Sequence, residues 1–207
     1  MSGIVHRTER HDFHIISGMV SEGARVLDIG CGDGLLLDML RREKRVRGRG
    51  IEIDQDEVGS AVARGLSVIQ GDAEVYIADY PDGAFDYVIL SQALQAMTDP
   101  RRVLEEMLRV GRRAIVSFPN FGYWKVRLHL LLKGTMPVTE ALDEPWYATD
   151  NIHLCTIRDF VDLCDEMGVR IETAFTMNTR GRPRLTRSPR GLVNLTGEQA
   201  IFLLTRG

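Results

Sequence analysis

A glycine-rich stretch near the start of the chain constrains the fold more than any other feature. An apolar run, Val26–Ile29, includes the acidic Asp28 near its end. Glycines then occupy alternate positions, Gly30, Gly32 and Gly34, and a helical pattern begins immediately afterwards. Glycine lets the backbone take positive φ in a tight turn and lets a ligand approach without a Cβ in the way. The stretch therefore predicts a strand, a tight turn and a helix, with a ligand lying over the turn.

The chemistry of this turn distinguishes two classes of ligand. The start of the helix suits a carboxylate or phosphate, whereas Asp28 suits an ammonium or a hydroxyl. A dinucleotide fingerprint runs G-x-G-x-x-G, but here the order is D-x-G-x-G-x-G, with Glu52 after the next apolar stretch. This order resembles the motif of class I S-adenosylmethionine (AdoMet) methyltransferases, whose ligand has no pyrophosphate. A glycine turn that only packs is the alternative.

Composition limits the remaining possibilities. The 207 residues suit one domain, 1–207, and a net charge of −3 provides no basic field to attract nucleic acid. Cys31, Cys155 and Cys164 lack metal-ligand spacing, which favours a reducing cytoplasm. Histidines at positions 6, 11 and 14 also lack ligand partners at a recognisable spacing, so no metal site is predicted. A polar N-terminus and no apolar run near ~18 residues predict neither a signal peptide nor a membrane span.

The second predicted strand supplies the next part of the site. Residues 50–54 form a short apolar stretch that contains two acids. In a doubly wound sheet the tip of this strand lies beside the first turn, so Glu52 can accept both hydroxyls of a ribose, with Ile53 next to it. Asp54 or Asp56 is instead expected to cap the helix that follows.

Two further strand ends complete the predicted site. A third strand over 66–70 leads to Asp72 and Ala73, where the acid is placed to accept from an adenine amino group, although such a sequence also marks ordinary turns. The apolar run 85–90 predicts a buried parallel strand. Ser91 follows it, at the edge where such sheets bind ligands.

The second half of the chain contains two irregular segments. After a fifth strand, residues 121–151 break the α/β rhythm and predict a lid over the pocket, or an insertion that only packs. Two last strands are predicted at 169–175 and 199–205. Between them the arginine-rich range 180–190 predicts a mobile, solvated loop, with contact to nucleic acid or an acidic partner as the alternative.

Three stretches carry a resemblance to known proteins. Residues 25–34 and 50–54 are similar to the class I methyltransferase superfamily, and 109–121 resembles the MetW family of methionine-biosynthesis proteins. The resemblance implies an α/β fold with a doubly wound, mostly parallel, seven-stranded Rossmann-like sheet and an antiparallel last strand. It implies AdoMet or S-adenosylhomocysteine as ligand and homoserine O-acyltransferase as partner.

No catalytic residue emerges from the sequence. Methyl transfer needs little more than alignment of a nucleophile with an activated methyl group, so it leaves few sequence marks. Many relatives carry a histidine after the fourth strand, but this chain has Gln92 and Gln95, and glutamine is a poor general base. Cys31 is expected to pack rather than react. Two functions remain open: an AdoMet-binding regulator of the acyltransferase, and an active AdoMet-dependent methyltransferase with a small-molecule or protein acceptor. A dehydrogenase ranks third.

Overall fold

One mixed β-sheet organises the chain. The computed structural model describes residues 11–139, 142, 144–149, 151–178, 182–186, 189 and 191–207. The described strands are β1 (Arg25–Ile29), β2 (Arg47–Glu52), β3 (Val68–Gln70), β4 (Phe85–Ser91), β5 (Gly111–Pro119), β6 (Val169–Met177), β7 (Pro183–Thr186) and β8 (Gln199–Arg206). Their order in the sheet is β3-β2-β1-β4-β5-β8-β6-β7.

Helices connect most of these strands. The described helices are α1 (His11–Met19), α2 (Leu35–Lys44), α3 (Gln55–Ala63), α4 (Ala73–Tyr76), α5 (Pro100–Val110), α6 (Trp124–Lys133), α7 (Ile157–Glu166) and α8 (Leu192–Thr196). Their ends follow the local chemistry: Asp99 caps α5, which has proline at its first position, and Thr156 forms a capping box with Asp159 at α7. Throughout the described ranges, every helix is too short or too polar to cross a bilayer.

The strand directions confirm the predicted Rossmann-like sheet. Strands β3, β2, β1, β4 and β5 pair in parallel. The last strand, β8, runs antiparallel and lies between β5 and β6. One strand was not predicted: β7 pairs antiparallel with the edge strand β6, so the sheet has eight described strands rather than seven. It occupies residues that the sequence assigned to the loop 180–190; residues 180, 181, 187, 188 and 190 lie outside the described part.

The two faces of the sheet bury separate cores because successive side chains of a strand point to opposite sides. On β5, Val116 and Phe118 belong to the core beneath α5 and α7, whereas Ile115 belongs to the core beneath α1 and α2. Phe118, Phe160 and Phe202 form a contiguous aromatic group on the first face, with ring centroids 4.7–5.9 Å apart. The two layers of helices hold the carboxyl ends of the parallel strands at one edge.

Asn120 joins four elements where β5 ends. Its side chain is buried, and its Nδ2 donates to the main-chain oxygens of Asn194 (2.8 Å) and Gly197 (2.7 Å). Its Oδ1 accepts from the N–H groups of Gly122 (2.9 Å) and Ile157 (3.1 Å). One amide therefore satisfies main-chain groups next to β5, α6, α7 and α8, and it uses both of its polar atoms.

Candidate functional site

The glycine-rich turn lies against the tip of β2. Gly30 N and Cys31 N both donate to the carbonyl oxygen of Ile51, at 2.8 and 3.2 Å. The three glycines have positive φ values, 66° at Gly30, 53° at Gly32 and 77° at Gly34, a region that other residues enter only with strain. The turn therefore follows the predicted course from β1 into α2.

Glu52 binds this turn through its carboxylate. Oε2 accepts from Gly32 N at 2.8 Å, and Oε1 accepts from Ile53 N at 2.8 Å and Asp54 N at 3.0 Å. The residue is half-buried. A carboxylate offers about four acceptor positions, so a ligand hydroxyl can still be accepted on Oε2. Accepting two hydroxyls, as the sequence predicted, requires one backbone N–H to be released or shared.

The ends of β2 and β3 bring the other predicted residues to the same edge. Gly71 N donates to the Glu52 carbonyl at 2.8 Å, which places the start of α4 beside β2. Asp72 is exposed and caps α4, its Oδ1 accepting from Glu74 N at 2.8 Å. Ala73 packs against the core. Ile53 is 68 % exposed, so an apolar side chain lies uncovered directly after Glu52. Of the two acids considered for the cap of α3, Asp54 caps it.

Two predicted residues at the turn, Cys31 and Asp28, are buried. Gly50 leaves room for Cys31, whose Sγ would lie 2.5 Å from a Cβ at that position. Burial, followed by the nearby charges of Asp28 and Glu52, raises the pKa of the Cys31 thiol well above its usual range. This thiol stays protonated near neutral pH, which argues against a nucleophile. Asp28 itself is buried at the end of β1.

We expect Gly34→Ala to destabilise the fold by about 1 kcal/mol more than Gly83→Ala. Both glycines have positive φ, 77° and 64°, so the backbone strain is matched. A Cβ at Gly34 would clash with Leu66 Cδ1 and lie 3.1 Å from Ala61 Cβ, whereas nothing lies within 4 Å at Gly83. Overpacking of this kind costs about 1–3 kcal/mol, and Leu66 is half-buried and can rotate. Urea denaturation measures the difference, and equal losses would refute the packing role of Gly34.

A buried polar cluster at the ends of β4 and β5 was missed by sequence reasoning. Ser91 Oγ donates to Asp12 Oδ2 (3.2 Å) and lies 3.2 Å from Ser117 Oγ. Gln92 Nε2 also donates to Asp12 Oδ2 (3.3 Å), and Gln92 N donates to Ser117 Oγ (3.2 Å). Asp12 comes from α1 and is only 2 % exposed. The helix α1 thus carries a carboxylate to the carboxyl edge of the sheet.

This cluster adjoins the glycine-rich turn. A Cβ at Gly30 would lie 3.3 Å from Ala93 Cβ, so the residue after Gln92 touches the turn. Gln92 itself has φ of 58°, an uncommon conformation for a residue other than glycine, of the kind that concentrates at functional sites. The predicted residue Ser91 therefore lies between the turn and Asp12.

Gln95 has a structural role. It is buried, and its Nε2 donates to Pro119 O (3.1 Å) and to Cys155 Sγ (3.4 Å). The main-chain oxygen of Gln95 accepts from the N–H groups of Ile152 and His153, both at 2.9 Å. Gln95 therefore connects residues 152 and 153, which follow the irregular segment, to the sheet edge.

Burial raises the pKa of Cys155 to about 11. In the described part of the chain, which excludes His6, no three side chains among His, Cys, Asp and Glu are grouped so that they could hold a metal ion.

The geometry of the turn fits an AdoMet ligand. The atom nearest to a Cβ built at Gly32 would be Glu57 Oε2, at 4.0 Å, so the turn leaves room for a ligand there. The helix α2 begins at Leu35, whose N–H donates to Asp33 Oδ1 at 3.3 Å. The first turn of a helix presents N–H groups that can donate to a carboxylate. Glu52 and Asp72 offer carboxylate acceptors for a ribose and an amino group, and Ile53, which follows Glu52, is an exposed apolar side chain.

Solved structures share this fold. An AdoMet-dependent methyltransferase from Thermotoga maritima superposes with a TM-score of 0.70 at 18 % identity, covering 95 % of this chain and 88 % of that one. The [4+2]-cyclase SpnF superposes with a TM-score of 0.66 at 19 % identity, covering 94 % and 80 %. Identities this low show the fold alone, and a cyclase among these proteins illustrates that the fold does not determine the reaction.

Sequence comparison identifies the family. A bifunctional methionine biosynthesis protein MetXA/MetW from Rhodopirellula baltica is 34 % identical over 204 residues, covering 94 % of this chain but only 32 % of that protein. The chain thus spans about a third of the length of this curated relative. The family model for methionine biosynthesis protein MetW matches residues 10–204. With nearly its whole length matched, the chain belongs to the MetW family of methionine-biosynthesis proteins.

Proposed function

We propose that this chain binds AdoMet or S-adenosylhomocysteine at the carboxyl edge of the sheet. Glu52 would hold the ribose, Ile53 would lie against the adenine, and Asp72 would accept from the adenine amino group. The amino-acid end would lie over Gly30–Gly32, near Asp28 and Ser91. When bound, AdoMet supplies an activated methyl group. The observation that carries the proposal is the Glu52 carboxylate bonded to the glycine turn, beside an uncovered Ile53.

The proposed role of this binding is regulation of homoserine O-acyltransferase. The family belongs to methionine biosynthesis, and in the Rhodopirellula relative a MetW part is joined to a MetXA part in one polypeptide. Since AdoMet is made from methionine, a protein that binds AdoMet and contacts an early enzyme of the pathway can report the level of its product. Gln92 and Gln95 support this role, because both amides are engaged in the structure and neither is a base. The three free thiols suit the reducing cytoplasm proposed for it.

One observation favours a second function, methyl transfer. Asp12 is a buried carboxylate at the end of β4, in contact with Ser91 and Gln92. A carboxylate in this position can accept a proton from an acceptor nucleophile if the substrate reaches the cluster. The chain would then be an AdoMet-dependent methyltransferase with a small-molecule or protein acceptor. The irregular range 121–151 would serve in that case as the lid over the acceptor.

Calorimetry with purified homoserine O-acyltransferase tests the proposal. We expect AdoMet to bind and NAD not to bind, and we expect AdoMet to change the affinity for the acyltransferase. Linkage then requires the acyltransferase to change the affinity for AdoMet by the same factor. Binding of the partner with no dependence on AdoMet would remove the regulatory role. Methyl transfer from labelled AdoMet to a defined acceptor, without acyltransferase binding, would establish the second function instead.

A further inference from the structure

The helix α6 exposes a continuous apolar stripe. Trp124, Leu128, Leu131 and Leu132 recur at helical spacing and are all exposed, Leu131 at 80 % and Leu132 at 72 %. With about 100° of rotation per residue, these four side chains fall within an arc of roughly 100°. Contiguous apolar surface of this kind on a folded protein commonly marks an interaction site.

The opposite side of the same helix packs on the body of the chain. Val126 is buried and Leu130 is half-buried, and both lie roughly opposite the α6 stripe at about 100° per residue. The helix thus has one covered apolar side and one exposed apolar side.

Basic side chains border the stripe on both sides. Lys125 lies beside Leu132 around the helix, and Arg127 lies beside Leu131. The sequence Trp124–Lys133 contains no acidic residue, whereas the whole chain has a net charge of −3. Trp124 is also held in place, since its ring lies edge-on to the buried Tyr123 at 5.9 Å. A fixed tryptophan with basic residues around an apolar centre is typical of a protein interface.

We infer that the α6 stripe docks homoserine O-acyltransferase, through an apolar patch rimmed by carboxylates on that enzyme. This inference rests on the proposed function and adds the place of contact. The charge of the rim favours an acidic partner over a second copy of this chain, whose own stripe has the same positive border. The Rhodopirellula relative, in which the two parts share one polypeptide, provides the class of occupant.

A binding measurement with matched variants tests the docking site. The purified chain is titrated into homoserine O-acyltransferase, with Leu131→Glu as the test variant and Val62→Glu as the control. Val62 is an exposed apolar residue of α3, outside the stripe. We expect Leu131→Glu to weaken the complex at least tenfold and Val62→Glu to weaken it less than twofold. The variant Lys125→Glu, which reverses a charge at the border of the stripe, is expected to weaken the complex and to reduce its sensitivity to salt.

The outcomes separate this inference from the proposed function. If the wild-type chain does not bind the acyltransferase, the partnership itself fails, and the docking site fails with it. Equal binding by the wild type and Leu131→Glu would leave the partnership standing and overturn the docking site. If the wild-type chain self-associates and Leu131→Glu does not, the stripe is a contact between copies and the docking site is overturned. The docking site is likewise overturned if the wild-type chain sediments with phosphatidylglycerol vesicles and Leu131→Glu does not. Unchanged AdoMet affinity and circular dichroism show that the variant is folded.

Discussion

Glu52→Ala is expected to weaken AdoMet binding by about ten- to a hundred-fold. A hydrogen bond to a charged group contributes about 1.5–3 kcal/mol, and each 1.4 kcal/mol is a factor of about ten in affinity. In this structure the carboxylate accepts the N–H groups of Gly32, Ile53 and Asp54, and in the proposed complex it would also hold the ribose. Its removal would therefore take away the proposed ribose acceptor and loosen the turn on which the amino-acid end would lie.

A control variant and a conservative variant accompany Glu52→Ala. Asp56→Ala changes a nearby exposed acid on α3 and is expected to bind AdoMet within about twofold of the wild type. Glu52→Gln retains one acceptor oxygen of similar shape and should fall between the wild type and Glu52→Ala. Isothermal titration gives all three affinities. Wild-type affinity in Glu52→Ala would show that the ribose is held elsewhere.

Asn120→Ala is expected to lower the free energy of unfolding by about 3–5 kcal/mol. The buried side chain makes four hydrogen bonds, to main-chain groups of Gly122, Ile157, Asn194 and Gly197. Each neutral hydrogen bond contributes about 1 kcal/mol, and a buried group left without a partner costs about 1–3 kcal/mol. Four main-chain groups lose their partner at once in this variant.

Urea denaturation measures this loss against Asn178→Ala. Asn178 is exposed, and its side chain accepts from Arg182 N at 3.2 Å. Its replacement should cost less than about 1 kcal/mol, since an exposed group can exchange its bond for water. A loss below about 1 kcal/mol for Asn120→Ala would mean that water replaces the amide at the junction of these elements.

The parallel half of the sheet was predictable because its signals are local. The strands β1, β4 and β5 are centred on apolar runs, which is what strands buried on both faces require, and the glycine turn specifies how β1 joins α2. The position of Glu52 followed from the same reasoning, since the tip of a neighbouring parallel strand must lie beside the turn. The structure confirms that neighbourhood through the bond from Gly32 N to Glu52.

Features that depend on distant residues or on exposed strands were not predictable. Asp12 and Ser91 are 79 positions apart in the sequence, and nothing in the polar start of the chain indicates that this carboxylate is buried. Strand β7 has exposed side chains at Arg184 and Leu185, so it lacks the alternation that identifies a half-buried strand. It pairs at the edge of the sheet through main-chain groups, which any residue except proline supplies in full.

The position of β8 has a consequence for the nascent chain. Strand β5 pairs with β8, which lies about 80 residues later in the sequence. During synthesis from the N-terminus, β5 therefore keeps an unpaired edge after the strands before it have been made. An exposed edge of a largely apolar strand invites pairing with other chains. Damage to residues 199–206 would leave that edge open permanently, whereas loss of residues 183–186 would uncover only the outer strand β6.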